Sequence, residues 1–178
     1  LSLHYALPIL VGWVQLHISG SVCDRITVRH GEMLNPDGTV YTANLRGANA
    51  TDFYIFGTNG TVTYQPRFTF HGFRYVEVRG LTVPPALGSV TGMVVHSDMP
   101  RTGAFQCSDP LVNQLYSNII WGQKGNYLEV PTDCPQRDER LGWSGDTEFF
   151  VPTAAYNYDV QTFFRRHMVT FCEDSQDR

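Results

Sequence analysis

Short stretches rich in Val, Ile, Thr and aromatic residues recur along the first half of the chain and predict β-strands. They cover residues 11–19, 25–30, 51–56, 67–70, 74–79 and 90–96. In residues 73–78 apolar and polar side chains alternate, as in a strand with one buried and one solvent-facing side. Regular short strands separated by Gly and Pro predict a β-sandwich.

A turn is predicted where the sequence reads Asn35-Pro36-Asp37-Gly38. Proline fixes φ at its own position, and Asp-Gly tolerates positive φ. We expect this turn to join the strand that contains Ile26 to one that starts near Val40.

After Asp109 the apolar spacing changes from two to about 3.6 residues and predicts helices. Asp109 is a candidate N-cap, and Pro110 suits the first helical position, where its missing N–H costs nothing. Apolar residues then recur at i, i+3, i+4 and i+7, which are Val112, Leu115, Tyr116 and Ile119. This spacing predicts one apolar face on the first helix.

Two further helical stretches are expected. The first starts near Asp146 and should kink or restart at Pro152, because a proline inside a helix removes a hydrogen bond and clashes with the preceding turn. The second presents an apolar face formed by Val160, Phe163, Phe164, Met168 and Phe171. The predicted organisation is therefore a mixed β-then-α chain, with a β-sandwich region over residues 1–99 and a helical region over residues 100–178.

Charge and cysteine content narrow the possible partners. The chain has 13 Lys and Arg against 17 Asp and Glu, a net charge of -4, whereas nucleic-acid binding normally requires a basic face. The four cysteines are widely spaced without a CxxC pair, and the six histidines form no HExxH motif. We therefore expect no nucleic-acid partner, no metal site and no cofactor.

The N-terminal stretch Leu1–Leu16 is apolar but is interrupted by His4, Pro8 and Gln15. It has no basic segment before it and no small-residue cleavage site, so it does not resemble a signal peptide. A bilayer span needs about 20 mostly apolar residues, so we expect no membrane partner. The chain also begins without Met, and we interpret it as an internal piece of a longer protein whose cytoplasmic or secreted location is open.

The densest polar segment runs from Asp133 to Asp146 and reads DCPQRDERLGWSGD. One interpretation is a solvated linker whose charges form weak local ion pairs. The other is a glycosidase site, because carboxylates held near arginine can act in acid–base catalysis on an acetal. Trp143 would then offer a flat apolar surface to a sugar ring, and Pro135, Gly142 and Gly145 would give the loop a defined shape.

Two other chemistries fit this segment less well. Cys134 and Arg140 have the C-x5-R spacing of a phosphatase loop, but Asp138 and Glu139 lie between them and would repel a phosphate dianion. Ser144 lies in a sequence similar to a nucleophile elbow, which needs a preceding strand and a second glycine where this chain has Asp146. Neither a phosphatase nor a serine hydrolase is expected.

The segment Asp133 to Asp146 resembles the signature loop of the bacterial-type α-L-rhamnosidases of glycoside hydrolase family 78. Three other segments resemble the same family in the same order, and they are LNPDGTVYTANLRGANATD (34–52), PRFTFHGFRYVEV (66–78) and NIIWGQKGNYLEVPT (118–132). The resemblance extends from about Val11 to Asp174. It implies a β-sandwich followed by the first helices of a six-hairpin α/α barrel.

The resemblance also implies a function and roles for particular residues. The parent protein would be an inverting hydrolase that releases terminal α-L-rhamnose from glycosides or polysaccharides. Glu139 matches the catalytic general acid, Asp133, Arg137 and Asp146 match residues that bind the rhamnose hydroxyls, and Trp143 matches an aromatic wall of the sugar pocket. In the family the general base lies much later in the barrel.

Two expectations follow for this chain. The isolated chain should be inactive or nearly so, because the general base is missing and the barrel cannot close. Its expected partners are a rhamnose-containing glycoside or polysaccharide and the rest of the parent chain. The alternative function is a non-catalytic carbohydrate-binding or scaffold β-sandwich. His71 and Arg74 are expected to form hydrogen bonds in the core or between domains rather than to take part in catalysis.

Overall fold

The computed structural model describes residues 9–176 of the chain. Residues 1–8, and with them part of the apolar N-terminal stretch, lie outside the described residues. Two compact units are present: the first runs up to Val95 and includes residues 135–138, and the second comprises residues 96–134 and those from Glu139 onward. The sequence-based division after residue 99 stays a prediction.

The first unit is built from β-strands, as its alternating apolar pattern predicts. Within the described residues the strands are β1 (Leu10–Gly20), β2 (Arg25–Gly31), β3 (Met33–Leu34), β4 (Val40–Tyr41), β5 (Thr51–Ile55), β6 (Gly60–Tyr64), β7 (His71–Phe73), β8 (Tyr75–Arg79) and β9 (Val90–Val94). A short 3₁₀ helix, Ala43–Leu45, follows β4.

All the strand pairings among the described residues are antiparallel. In the first sheet β1 pairs with β9 along residues 12–16, with β7 along residues 10–12 and with β6 along residues 16–20. In the second sheet β2 lies between β5 and β8. Strands β3 and β4 form a small hairpin.

The core of this unit is formed by the inward-facing residues of the two main sheets. Its buried members are Val14, Leu16, Ile18, Ile26, Val28, Phe56, Phe73 and Val76. From Val14 to Ser19 of β1, buried residues alternate with half-buried or exposed ones, because successive side chains of a strand point to opposite faces. The predicted β-sandwich is therefore confirmed.

Three details of the strand prediction need correction. Residues 67–70 form no strand, since Phe68 has φ 62° and a fully exposed side chain. Strand β6 was not predicted, although Val62 and Tyr64 alternate with threonines and pack against the core. The turn at residues 35–38 joins β3 to β4, so the strand that contains Ile26 ends at Gly31, before the turn.

A buried polar group lies beside this core. The His30 ring stacks on the His71 ring with centroids 4.1 Å apart. His71 donates from Nε2 to the Asp52 carboxylate at 3.0 Å, and His30 donates from Nδ1 to the Ala50 carbonyl at 3.1 Å. The expectation that His71 forms core hydrogen bonds is confirmed.

The second unit contains the helices α1 (Pro110–Asn126), α2 (Ser144–Asn157) and α3 (Gln161–Gln176). The start of α1 is as predicted, because the Asp109 carboxylate accepts from the backbone N–H groups of Leu111 and Val112 and Pro110 occupies the first turn. The predicted restart at Pro152 is wrong, since α2 continues through it to Asn157.

The core between the helices buries only some of the residues on the predicted apolar faces. Its buried members are Met99, Ile120, Tyr127, Ala154, Tyr158, Val160 and Phe163. Val112 and Leu115 on α1 are 40% and 58% exposed, and Met168 and Phe171 on α3 are 52% and 44% exposed. These apolar faces are therefore only partly covered within the described residues. Among the helices the structure describes, none has the length and apolar character needed to cross a membrane.

Candidate functional site

Two hydrogen bonds between Asp133 and Leu141 close most of the Asp133–Asp146 segment into a loop. The Asp133 backbone N–H donates to the Leu141 carbonyl at 3.1 Å, and the Leu141 N–H donates to Asp133 Oδ1 at 2.9 Å. Each residue therefore donates one hydrogen bond to the other. Such a closed loop holds its polar side chains in a defined shape, unlike a solvated linker.

The electrostatics of Asp133 follow from this closure. Burial acts to raise the pKa of Asp133, but hydrogen bonds from the Leu141 N–H and from Cys134 outweigh burial and lower it. Asp133 is thus held in its charged form, in which it can only accept hydrogen bonds. An acceptor of this kind suits the hydroxyl groups of a neutral sugar.

The loop backbone is strained at the position of the predicted acid. Glu139 has φ 136° and Arg140 has φ 51°, although neither is glycine. Residues in such conformations cost about 1–3 kcal/mol each and are found preferentially at functional sites, where the surrounding structure holds them in place. The strain at Glu139 therefore favours a functional loop over a linker.

Glu139 is oriented by the tryptophan of the same loop. The Trp143 Nε1–H donates to Glu139 Oε1 at 3.1 Å. Ligand atoms of Asp133, Cys134 and Glu139 all lie within 4.8 Å of one another. Two carboxylates and the indole edge thus converge on one side of the loop, and the Trp143 side chain remains 47% exposed.

Asp146 is positioned by the start of α2. Trp143 is the N-cap residue, and its carbonyl accepts from the backbone N–H and the hydroxyl of Thr147 at 3.2 and 2.9 Å. Asp146 lies in the first turn of α2, where the positive end of the helix dipole favours a carboxylate. Ser144 opens the helix after a loop residue rather than a strand, so the strand-to-helix elbow of a serine hydrolase is absent at this position.

A pocket of about 750 Å³ adjoins these residues within the second unit. Asp133 and Asp146 both lie on its wall, whereas Glu139 and Trp143 do not. The remainder of the wall comes from α1, its C-cap residue Tyr127, residues 131–132 and α2, and it includes Thr132 and Phe150. The structure therefore brings two of the predicted sugar-binding carboxylates to one cavity.

The sequence analysis did not identify Tyr127, Thr132 or Phe150. Tyr127 is buried and stacks on Phe163 with ring centroids 4.7 Å apart, and burial raises its pKa to about 12. In sequence it reads as an ordinary apolar residue at the end of α1. Only the folded arrangement of the helices indicates that it lines a pocket.

Arg137 belongs to the first unit, together with its neighbours in residues 135–138. Its Nη1 donates to the backbone carbonyl of Asp138 at 3.2 Å. The other four predicted site residues, Asp133, Glu139, Trp143 and Asp146, belong to the second unit.

Two groups of potential metal ligands occur among the described residues, Asp133–Cys134–Glu139 and His30–Asp52–His71. In the first, Cys134 donates hydrogen bonds to Asp133. In the second, His71 donates to Asp52, and the two imidazole rings are stacked with an interplanar angle of 21°. Hydrogen bonds thus account for the Asp133–Cys134 and Asp52–His71 contacts in these groups.

The order of the two units matches known sequence profiles. Residues 8–96 match the bacterial alpha-L-rhamnosidase concanavalin-like domain, and residues 100–178 match the bacterial alpha-L-rhamnosidase 6 hairpin glycosidase domain. The β-sandwich, the helices that follow it and the domain matches place the chain in a class, that of proteins with a six-hairpin glycosidase domain. The chain belongs to the bacterial α-L-rhamnosidase family.

Individual relatives agree with this assignment. The chain is 54% identical over 160 residues to an alpha-L-rhamnosidase of Streptomyces avermitilis, covering 90% of this chain and 16% of the relative. It is 45% identical over 170 residues to an alpha-L-rhamnosidase of Formosa agariphila, covering 94% of this chain and 18% of that relative. The chain therefore spans less than a fifth of the length of these relatives.

Solved structures show the same likeness. The crystal structure of Streptomyces avermitilis alpha-L-rhamnosidase complexed with L-rhamnose aligns with a TM-score of 0.90 and 53% identity, covering 95% of this chain and 16% of that one. The alpha-L-rhamnosidase from Dictyoglumus thermophilum aligns with a TM-score of 0.87 and 42% identity, covering 89% of this chain and 18% of that one. The predicted architecture, a β-sandwich followed by part of a six-hairpin domain, is thereby confirmed.

Proposed function

We propose that the parent of this chain is an inverting glycoside hydrolase that releases terminal α-L-rhamnose from glycosides or polysaccharides. The observation that carries the proposal is the convergence of Asp133, Glu139 and Trp143 on one closed, strained loop in a member of the α-L-rhamnosidase family. The relative from Streptomyces avermitilis, which was solved with L-rhamnose, supports the choice of sugar.

In the proposed mechanism Glu139 is the general acid. It transfers its proton to the glycosidic oxygen as the bond from that oxygen to the anomeric carbon breaks, and water attacks the opposite face of the sugar. A second carboxylate, supplied elsewhere in the parent, takes the proton from that water. The product is rhamnose with inverted configuration at the anomeric carbon.

The remaining residues bind and orient the sugar. Asp133 and Asp146 accept hydrogen bonds from rhamnose hydroxyls at the pocket wall. Arg137 donates to ring or hydroxyl oxygens, and the exposed face of Trp143 covers the less polar side of the ring. The indole N–H of Trp143 also keeps the Glu139 carboxyl directed to one side of the loop.

We further propose that the chain is inactive by itself. It spans 16% of the Streptomyces avermitilis relative, and the apolar faces of α1 and α3 are only partly covered within the described residues. A complete catalytic site therefore requires the parent protein.

The first test is the release of rhamnose from an alkyl α-L-rhamnopyranoside, whose alcohol leaves only when it is protonated, by the parent and by its Glu139→Gln variant. The amide cannot donate an acidic proton, so we expect kcat to fall by about 10²–10⁴-fold. Glu173→Gln is the matched control, because Glu173 is an exposed glutamate on α3 outside the loop and should leave kcat unchanged. A parent that cleaves no α-L-rhamnoside, or a Glu139→Gln variant with normal kcat, would contradict the proposal.

Proton NMR during the reaction tests the stereochemistry. The β-anomer of L-rhamnose should appear first and then mutarotate. Initial formation of the α-anomer would indicate a retaining mechanism.

A further inference from the structure

Four residues of the signature loop, Pro135–Asp138, are packed into the β-sandwich unit. Pro135 is buried. The packing is closest at Gly72 in β7, where an added Cβ would lie 2.9 Å from the backbone N and Cα of Gln136. Such a distance is too short for a real Cβ contact, so only glycine at position 72 allows the Gln136 backbone to lie directly on this strand.

A glutamate of the same unit holds the Gln136 side chain. Glu32 lies at the β2–β3 junction, is partly buried, and accepts a hydrogen bond from Gln136. The Asn44 side-chain amide donates to Glu32 Oε2 at 2.8 Å. Burial raises the pKa of Glu32, while the hydrogen bonds from Asn44 and Gln136 and the charge of Arg74 oppose that rise.

The contacts of Gln136 also restrict the position of Arg137, the next residue in the sequence. Arg137 follows it directly, and its guanidinium donates to the Asp138 carbonyl at 3.2 Å. The backbone on the N-terminal side of Arg137 is therefore placed by Gly72, and the preceding side chain by Glu32. A displacement of Gln136 would move the guanidinium with it, because side-chain position follows the backbone.

We propose that Glu32 and Gly72 are positioning residues of the β-sandwich that fix Gln136 and thereby set the position of Arg137 for rhamnose binding. The inference rests on the proposed function, in which Arg137 contacts the sugar. It gives the sandwich a part in substrate affinity beyond stability, although neither Glu32 nor Gly72 touches the sugar.

The test measures L-rhamnose binding by calorimetry and p-nitrophenyl α-L-rhamnopyranoside kinetics on the full parent. Loss of a hydrogen bond to a charged group corresponds to about a tenfold effect, so Glu32→Ala should raise Kd and KM about tenfold, with a smaller change in kcat. Glu32→Gln keeps an acceptor oxygen and should restore most of the affinity. Gly72→Ala should weaken binding, whereas Gly57→Ala, with no atom within 4 Å of the added Cβ, should not.

A double-mutant cycle separates positioning from general destabilisation. If Glu32 acts through Gln136, the Glu32→Ala and Gln136→Ala effects on KM should be non-additive, with the double variant no worse than the stronger single variant. Additive effects would overturn the proposal, as would a Glu32→Ala variant that binds rhamnose normally.

Hydrogen exchange provides a readout that does not depend on activity. In Gly72→Ala the amides of residues 136–138 should exchange faster while those of β2 remain protected; equal exchange in Gly72→Ala and Gly57→Ala would overturn the proposal. A wild-type parent that neither binds nor hydrolyses rhamnosides would instead remove the proposed function, and this inference with it. A wild-type parent that is active while every variant binds normally would remove the inference alone.

Discussion

The stability of the first unit should depend on pH through His30. This side chain is completely buried, and its pKa is lowered from 6.5 to about 4, first by burial and then by the neighbouring His71. Its Nδ1–H is donated to the Ala50 carbonyl, and no described group hydrogen bonds to its Nε2. Protonation would therefore place a buried charge on Nε2, whose nearest carboxylate oxygen, Asp52 Oδ2, lies 4.0 Å away and already accepts from His71.

The size and sign of the effect follow from linkage. The folded-state pKa lies below the unfolded value, so the unfolded chain binds more protons between about pH 4 and 6.5. Stability from His30 is fully present above about pH 6.5 and is lost as the pH falls toward 4. Each tenfold change in proton affinity is worth about 1.4 kcal/mol, so the complete loss is about 3 kcal/mol, with about 2 kcal/mol lost by pH 5.

The assay is urea unfolding at a series of pH values. Hydrogen-exchange protection of the β2 amides is the readout, because these amides report on the first unit. The difference in unfolding free energy between wild type and His30→Gln should shrink by about 2 kcal/mol between about pH 7.5 and pH 5. His17→Gln is the control, because His17 is exposed and bonds to Thr63 across the sheet. A wild-type and His30→Gln difference that does not change with pH would refute the reasoning.

Three other substitutions test the packing and the turns. Leu16→Ala removes a side chain with 0% exposure from the sandwich core and should cost about 2–5 kcal/mol in urea unfolding; a cost below about 1 kcal/mol would contradict the core assignment. Asp109→Ala removes the α1 N-cap and should lower the free energy of unfolding by about 1 kcal/mol. Asp109→Asn should keep most of the stabilisation, because asparagine is also a good N-cap. Gly12→Ala places a Cβ against the Met93 carbonyl at φ 152°, so β9 amides should lose exchange protection while β2 amides keep theirs; unchanged β9 protection would argue against the observed β1–β9 pairing.

The parts of the fold that could be predicted are those governed by local sequence. Strand β2 alternates buried and less buried residues, and the start of α1 depends on Asp109 and Pro110, which are adjacent in sequence. Strand β6 was missed, although Thr61 and Thr63 alternate with Val62 and Tyr64, which pack against the core. What its own residues do not specify is the partner, β1, which lies in a distant part of the sequence.

The same distinction between local sequence and tertiary contacts applies to the candidate site. The composition of the Asp133–Asp146 loop and its family resemblance indicated Glu139 and Trp143, and the structure places these two within hydrogen-bonding distance. The closure of the loop by Asp133 and Leu141 was not predictable, because it comes with positive φ at Glu139 and Arg140. Glutamate and arginine give no sequence signal for positive φ, as glycine or asparagine would. The packing of Gln136 on Gly72 is likewise a tertiary contact between distant parts of the sequence.

The central claim, that Glu139 is the acid that protonates the leaving group, is tested most directly by how the loss of rate depends on that leaving group. Glu139→Gln and wild-type parent should be compared on aryl α-L-rhamnosides whose phenols range from strongly to weakly acidic. The variant should be slowed least with the most acidic phenol, which leaves without protonation, and by about 10²–10⁴-fold more with the least acidic one. An equal loss of rate across the series would contradict the assignment of Glu139 as the general acid.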